Sequence, residues 1–208
     1  MKIIRGIPQG SDEWLRLKDG RAGASHADWV MAKGRGKGEE FGQSFMNYAY
    51  LLASQKLGYA KETYKSDAMQ RGNTNEPMAA MRYSIEKGLR IEEITGILVN
   101  EDVLISPDRL VGDIGLVEIK NPDTLNHIKY ICAGTCPYIE QTQAQLWGSE
   151  REWNDFVSYD DRCTEQDFFC LRTYRDEPYI KIMEYRYKVL IEKRDEIIYY
   201  IKNYKPCQ

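Results

Sequence analysis

The sequence predicts an α/β fold, a mixed β-sheet flanked by helices, and three observations predict it. Apolar and β-branched runs of strand length recur near residues 90–99, 103–108, 114–120, 152–160 and 168–174. Stretches with helical apolar spacing precede, interrupt and follow them. Gly112-Asp113-Ile114-Gly115 supplies turn chemistry between two apolar runs, Leu104-Ile105 and Leu116-Val117, which read as a hairpin. No internal repeat or linker interrupts the 208 residues, so 1–208 reads as one domain able to bury a substantial core.

Taken in order, Ser11-Asp12-Glu13 before Trp14-Leu15 marks a helix start, and Gly20 its end. Ser25 reads as the cap of a second helix through Trp29, Val30 and Met31; a serine there is an ordinary N-cap or an anion site. Residues 33–43 form a glycine-rich basic loop with Lys33, Arg35 and Lys37. It lacks the Gly-Lys-Ser/Thr closure of a nucleotide-binding loop, which argues against ATP as a cofactor. Phe45, Tyr48, Leu51 and Leu52 mark a helix over 44–57. A longer helix covers 66–87, with Met69, Met78, Met81 and Ile85 expected to face inward. Beyond the hairpin, Leu125, Ile128 and Ile131 stripe a helix over 123–133, and another covers 137–148. Two more strands complete the sheet. A long helix over 177–202 closes the chain, with Ile180, Met183, Tyr187, Leu190, Ile198 and Ile201 as its packing face and its Lys, Arg and Glu residues solvated.

Composition excludes several classes. No apolar run is long enough to cross a membrane, and Met1-Lys2-Ile3-Ile4-Arg5 lacks a signal peptide's apolar segment. Five cysteines, an odd number, argue against a disulfide framework and for a reducing, cytoplasmic setting. Cys132 and Cys136 have no second pair or partner histidine at ligand spacing, which argues against zinc or an iron–sulfur cluster. The net charge of −3 does not suggest a nucleic-acid binder by itself. A local field can still do so, because acids at a metal site coexist with basic residues such as Lys18, Arg21, Lys33, Arg35 and Lys37 along a path to it.

The chemistry concentrates at residues 106–120. Ser106-Pro107-Asp108 is followed, across the glycine turn, by Glu118-Ile119-Lys120. The hairpin sets Asp108 near one strand end with Glu118 across from it, and Glu118 and Lys120 point to one face. Two carboxylates make a hard oxygen site suited to Mg²⁺, with Mn²⁺ able to substitute. A lysine beside that site can hold or deprotonate the water that attacks a phosphodiester. Taken singly, Glu-x-Lys is an ordinary solvated strand face and Pro-Asp an ordinary turn; the ordered combination points to phosphodiester hydrolysis.

Six blocks, in order over about 140 residues, extend this reading. They are Gln9-Gly10 with Trp14, Gly23-Ala24-Ser25, Arg71-Gly72 with Glu76, Ser106-Pro107-Asp108, Glu118-Ile119-Lys120-Asn121-Pro122, and Tyr138 with Gln141, Gln143 and Trp147. In these the chain resembles the lambda-exonuclease (YqaJ-type) family of viral alkaline exonucleases, within the PD-(D/E)XK nuclease superfamily. The resemblance implies a restriction-endonuclease-like core and a metal-dependent 5′-to-3′ exodeoxyribonuclease. Such an enzyme degrades linear duplex DNA from a 5′-phosphorylated end and leaves 3′ single strands for recombination by annealing. It implies Asp108, Glu118, Glu76 and the Ile119 carbonyl as metal ligands, Lys120 as the group that orients water, and Gln143 as support for the catalytic centre. It implies Ser25, Ser106, Gln141 and a basic residue as the terminal-phosphate pocket, and gives the basic loop a contact with the DNA backbone. The chain departs from the family pattern at that basic residue. Lys18 stands where the family has arginine, and Arg21 follows one turn on; lysine is a point charge rather than a bidentate fork. A homotrimeric ring, an annealing recombinase as partner and a location in the host cytoplasm also follow from the resemblance alone. A restriction-like or structure-specific endonuclease of the same fold would nick closed circles. A silent DNA-end-binding module would have no need of Asp108, Glu118 and Lys120 together.

Overall fold

Two β-sheets organise the chain. The computed structural model describes residues 1–36, 38–59 and 67–205, with the side chains of 67–69 and 73 left undescribed. Strands β1 (Lys2–Ile4), β3 (Gly96–Asn100) and β4 (Val103–Ile105) form an antiparallel sheet in the order β1-β3-β4. Strands β2 (Ile91–Glu93), β5 (Arg109–Val111), β6 (Gly115–Lys120), β7 (Trp153–Tyr159) and β8 (Phe168–Tyr174) form the larger one, in the order β2-β5-β6-β7-β8. Only β6 and β7 run parallel, so the larger sheet is mixed, as the sequence predicts.

The expected strand over 90–99 is therefore two, belonging to different sheets. Thr95 makes the break: its amide donates to Ile4 O, its hydroxyl donates to Ile7 O, and it accepts from the Ile7 amide. The run over 103–108 divides in the same way. Pro107 has no amide hydrogen to continue a ladder, and the chain passes from β4 into β5 across it. The hairpin thus joins β6 to β5 rather than to Leu104-Ile105, with Arg109 opposite Val117 and Val111 opposite Gly115. Gly112, at φ +51°, takes the left-handed conformation of its turn.

Helices close both faces of the larger sheet. They are α1 (Asp12–Lys18), α2 (Ala27–Met31), α3 (Gln43–Lys56), α4 (Asp67–Lys87), α5 (Thr124–Ala133), α6 (Ile139–Ser149) and α7 (Glu177–Asn203). Ser11 caps α1, accepting from the Trp14 amide at 3.2 Å. Ser25 does not cap α2; it lies inside a short 3₁₀ turn, Ala24–His26, that leads into it. The parallel β6–β7 pair needs a crossover, and α5 and α6 provide it. Side chains alternate along β6: Val117 and Ile119 pack with Ala79, Ala80 and Tyr83 of α4, while Leu116 packs with Ala144 and Leu146 of α6. Glu118 and Lys120 share the face of Leu116 and so meet α6. The close approach of α6 to the small sheet depends on Gly148, where a Cβ would come within 2.7 Å of Val99 Cγ2 and 2.9 Å of Ile105 Cδ1.

Three expected helix faces are corrected. On α4, Met78, Met81 and Ile85 point to solvent, because the small residues Ala79 and Ala80 let the helix sit close on the sheet; Met69 lies among the undescribed side chains. On α5, Leu125 and Ile128 are exposed and the buried residue is His127, held by Ser158 and the Gln166 carbonyl. On α7, Ile180, Met183, Tyr187 and Leu190 are buried as expected, whereas Ile201 is exposed and Arg186 and Arg194 are buried within the packing face. Arg186 donates to the carbonyls of Val30, Ala32 and Glu40, and Arg194 to that of Gly20 and to the carboxylates of Asp102 and Asp195, so these acceptors take the place of water. No described helix is long and apolar enough to cross a membrane.

Candidate active site

The β5–β6 hairpin brings its acids together by register. Continuing the pairing of Arg109 with Val117 places Asp108 opposite Glu118, and the Asp108 amide donates to Val117 O at 3.1 Å. The Ile119 amide in turn donates to Asp108 Oδ2 at 2.6 Å. Two residues beyond Glu118 on the same face, Lys120 Nζ lies 2.6 Å from Glu118 Oε1.

Helix α6 lies over these residues and presents amides to Glu118. Gln141 Nε2 donates to Oε1 at 2.5 Å and Gln145 Nε2 to Oε2 at 2.5 Å. Behind Gln145, Asn154 Nδ2 of β7 donates to Gln145 Oε1 at 2.7 Å. At the start of α6 the Tyr138 ring faces Lys120, with Nζ 4.9 Å from its centroid, a cation–π contact. From the other side of the sheet, α4 contributes Glu76, which accepts from Arg109 at 2.8 Å. Arg71 and Gly72 fasten α4 to the strand end: Arg71 donates to the Asn121 and Pro122 carbonyls, and Asn121 Nδ2 donates to Gly72 O. That explains why two of the six sequence blocks belong together.

The electrostatics single out Asp108. It is half-buried, and its carboxylate is in an ion pair with no Lys or Arg among the described residues. Burial first, then the charges of Glu118 and Glu76, push its carboxyl well above the usual range; Lys120 and the Ile119 amide offset this only in part. Burial opposes the charge on Lys120, but Glu118 and Asp108 outweigh it and hold the ammonium above its usual range. Among the described residues no three His, Cys, Asp or Glu side chains are gathered closely enough to hold a metal ion. The reason is visible in the bonds: Glu76 is turned to Arg109, and both oxygens of Glu118 are taken by Lys120 and the two glutamines.

Asp108, Glu118, Ile119, Lys120 and Gln141 thus meet at one place, with Glu76 held beside them by Arg109. Gln143 does not join them. Its side chain donates to Tyr174 O at 2.7 Å and accepts from the Asp176 amide at 3.0 Å, binding the end of β8 to the start of α7. The glutamine that reaches the centre beside Gln141 is Gln145. The signal for it lay in the spacing, since residues four apart share a helix face and residues two apart do not.

Of the expected phosphate-pocket residues Gln141 lies at this site, bonded to Glu118, whereas Lys18, Arg21, Ser25 and Ser106 make no side-chain bond to it among the described residues. Lys18 Nζ sits 4.2 Å from the Trp14 ring centroid, and burial lowers its pKa. His26, its pKa lowered by burial and then by the charge of Lys18, lies 3.3 Å from the exposed Ser25 through Nδ1. Ser106 Oγ is buried behind Gly96, without a hydrogen-bond partner among the described residues. Arg21 is otherwise engaged, its guanidinium donating to Glu101 O at 3.0 Å and Leu17 O at 2.6 Å. In the basic loop, Gly36 donates to Glu39, while Lys37 lies outside the described residues.

A family model for the YqaJ-like viral recombinase domain matches residues 13–152. The crystal structure of LHK-Exo, an alkaline exonuclease from Laribacter hongkongensis, is similar at 37% identity with a TM-score of 0.84, covering 92% of this chain and 96% of that one. The LHK-Exo complex with dAMP is similar at 36% identity and 0.83, with the same coverage. A phage-related exonuclease from Haemophilus somnus 129PT shares the fold at 17% identity and 0.72, covering 90% of this chain and 99% of that one. Comparison with curated proteins gives no match.

Proposed function

Because the chain belongs to the YqaJ-like viral recombinase family, we propose that it is a metal-dependent deoxyribonuclease. It degrades linear duplex DNA 5′ to 3′ from a phosphorylated end and leaves 3′ single strands for recombination by annealing. The observation that carries the reading is Asp108, set by register opposite Glu118 and beside Lys120, with no Lys or Arg ion-paired to it among the described residues. The similarity to LHK-Exo, named an alkaline exonuclease, over most of both chains supports it.

The donor set fits a hard divalent cation. Asp108, Glu118, Glu76 and the Ile119 carbonyl offer oxygen only, which suits Mg²⁺ with Mn²⁺ as substitute, and the raised Asp108 carboxyl is a site where positive charge is lacking. These residues would hold the ion, which would supply Lewis-acid activation of water and screening of phosphate charge. Glu76 would exchange its Arg109 contact to take part. Lys120, its Nζ 2.6 Å from Glu118 Oε1, would hold or deprotonate the attacking water. Glu118 and the Tyr138 ring hold its ammonium in place for that work. Lys18 with Ser25, Ser106 and Gln141 would take the terminal phosphate, with Lys18 as the cation because Arg21 is spent on carbonyls. A nuclease unit spanning 1–208, a homotrimeric ring, an annealing recombinase partner and a host-cytoplasmic setting complete the proposal.

Digestion of end-labelled linear duplex with Mg²⁺ tests it, with 5′-phosphate, 5′-hydroxyl and closed circular substrates in parallel and Lys120→Ala as control. Stepwise loss from the phosphorylated end, absent on circles and in the variant, is the expected result. Cutting of circles would make the protein an endonuclease. No cutting with any divalent ion would leave a DNA-end-binding role.

A further inference from the structure

Glu118 is 2% exposed, and its two oxygens are treated differently. Oε1 takes bonds from both Lys120 and Gln141, while Oε2 takes one, from Gln145. Gln145 and Asn154 are themselves fully buried. A carboxylate only accepts, so Gln145 must turn its NH₂ to Glu118 and its carbonyl oxygen the other way. Asn154 holds it in that orientation, because its own NH₂ donates to the Gln145 carbonyl oxygen. Without that donor the Gln145 amide would be free to flip and set an oxygen against Glu118. The arrangement has a cost: Asn154 Oδ1 is buried with no hydrogen-bond partner among the described residues. A buried, half-satisfied amide is poor packing, and such local conflicts concentrate where function requires them.

We infer that Gln145, oriented by Asn154, is a positioning residue: by holding Oε2 it fixes the orientation in which the Glu118 carboxylate meets the cation. The inference rests on the metal-nuclease reading above. Gln145 touches neither DNA nor water in this role and acts only through Glu118. Partners that orient a metal-binding carboxylate typically change metal affinity by about 10- to 100-fold when removed.

The test is a calorimetric titration of Mn²⁺ into the metal-free full-length protein, without DNA. Wild type is compared with Gln145→Met, which keeps the shape and loses the donor, and with Asn154→Asp, which keeps the shape and turns the donor toward Gln145 into an acceptor. Melting curves in chelator establish that each variant is folded, and Asn154→Asp serves if Gln145→Met is not. The expected result is Mn²⁺ affinity lowered about tenfold or more in either variant. On DNA, kcat should fall at limiting metal and recover with excess, with KM for DNA unchanged. A folded variant binding Mn²⁺ within twofold of wild type would overturn the inference and leave the nuclease reading intact. Wild type that neither binds Mn²⁺ nor cuts DNA would overturn the reading itself.

Discussion

Asp108 and Asp160 are acids at strand ends of the same sheet, and their surroundings drive them in opposite directions. Asp160, just beyond β7, is fully buried. Burial would raise its pKa, but hydrogen bonds from Arg162 and Thr124 outweigh that and bring it down to about 2. Arg162 Nε lies 2.7 Å away, Thr124 Oγ1 2.5 Å, and Arg71 of α4 stands at 3.7 Å. Among the described residues Asp108, just before β5, accepts a single bond at its carboxylate, from the Ile119 amide, and faces two further acids. An acid already neutralised by its neighbours is architecture, here pinning α4, α5 and β7 together. An acid crowded by others of its own sign is where the proposed cation would be held.

The largest effect expected from this contrast comes from Asp108→Asn. Activity on linear duplex should fall by about 10²- to 10⁴-fold, the range for loss of a group acting directly at the reaction. Without metal, the same change should stabilise the fold. A raised carboxyl pKa means that the native state keeps a proton the unfolded chain has lost, so wild-type stability falls as pH rises above the usual carboxylate value of 3.8. Asparagine has no proton to lose, and can still accept from Ile119. Melts in chelator from pH 4 to 8 should show the variant's advantage widening with pH. A variant less stable than wild type at pH 8 would show that Asp108 is compensated after all.

Asp160→Asn should do the reverse at smaller scale. Arg162, Arg71 and Thr124 would lose a charged acceptor, at a cost of about 2 kcal/mol at neutral pH. The depressed pKa sets the sign: the contribution of the carboxylate is complete above pH 3.8 and is lost as pH falls through about 2. Denaturant titrations of both proteins should therefore converge in strong acid. A difference that persists there would assign the cost to shape rather than charge.

What the sequence showed of this arrangement was local. The alternation of β6, the placing of Asp108 across from Glu118 and the Ser11 cap all follow from neighbours within a few residues. What it hid was set by distant partners. Thr95 splits a run of strand residues because it bonds Ile7, 88 positions away. Arg186 and Arg194 look solvated on a helix of mixed charge until backbone carbonyls 146 to 174 residues away accept their bonds. The outward methionines of α4 show a different failure, since a stripe of large apolar residues lost to two alanines that fit closer to the sheet. At the site, Asp108, Glu118 and Lys120 were legible because one hairpin carries them. The Asn154–Gln145 pair was not, because it needs β7 laid beside β6.

Gln143 and Gln145 bring the contrast down to one helix. Successive residues on α6 turn by about 100°, so Gln145 lies about 40° from Gln141 and Gln143 about 200° away. Gln143 accordingly faces the β8–α7 junction, where it satisfies one carbonyl and one amide. Gln143→Leu keeps the volume and removes both bonds, so the expected result is a loss of about 1–2 kcal/mol in stability. Mn²⁺ affinity and kcat at saturating metal should be retained, since no bond from Gln143 reaches Glu118. Melting and Mn²⁺ calorimetry on the same preparation separate the outcomes. A stable variant with weakened metal binding would return Gln143 to the catalytic centre and show that α6 turns when the ion binds.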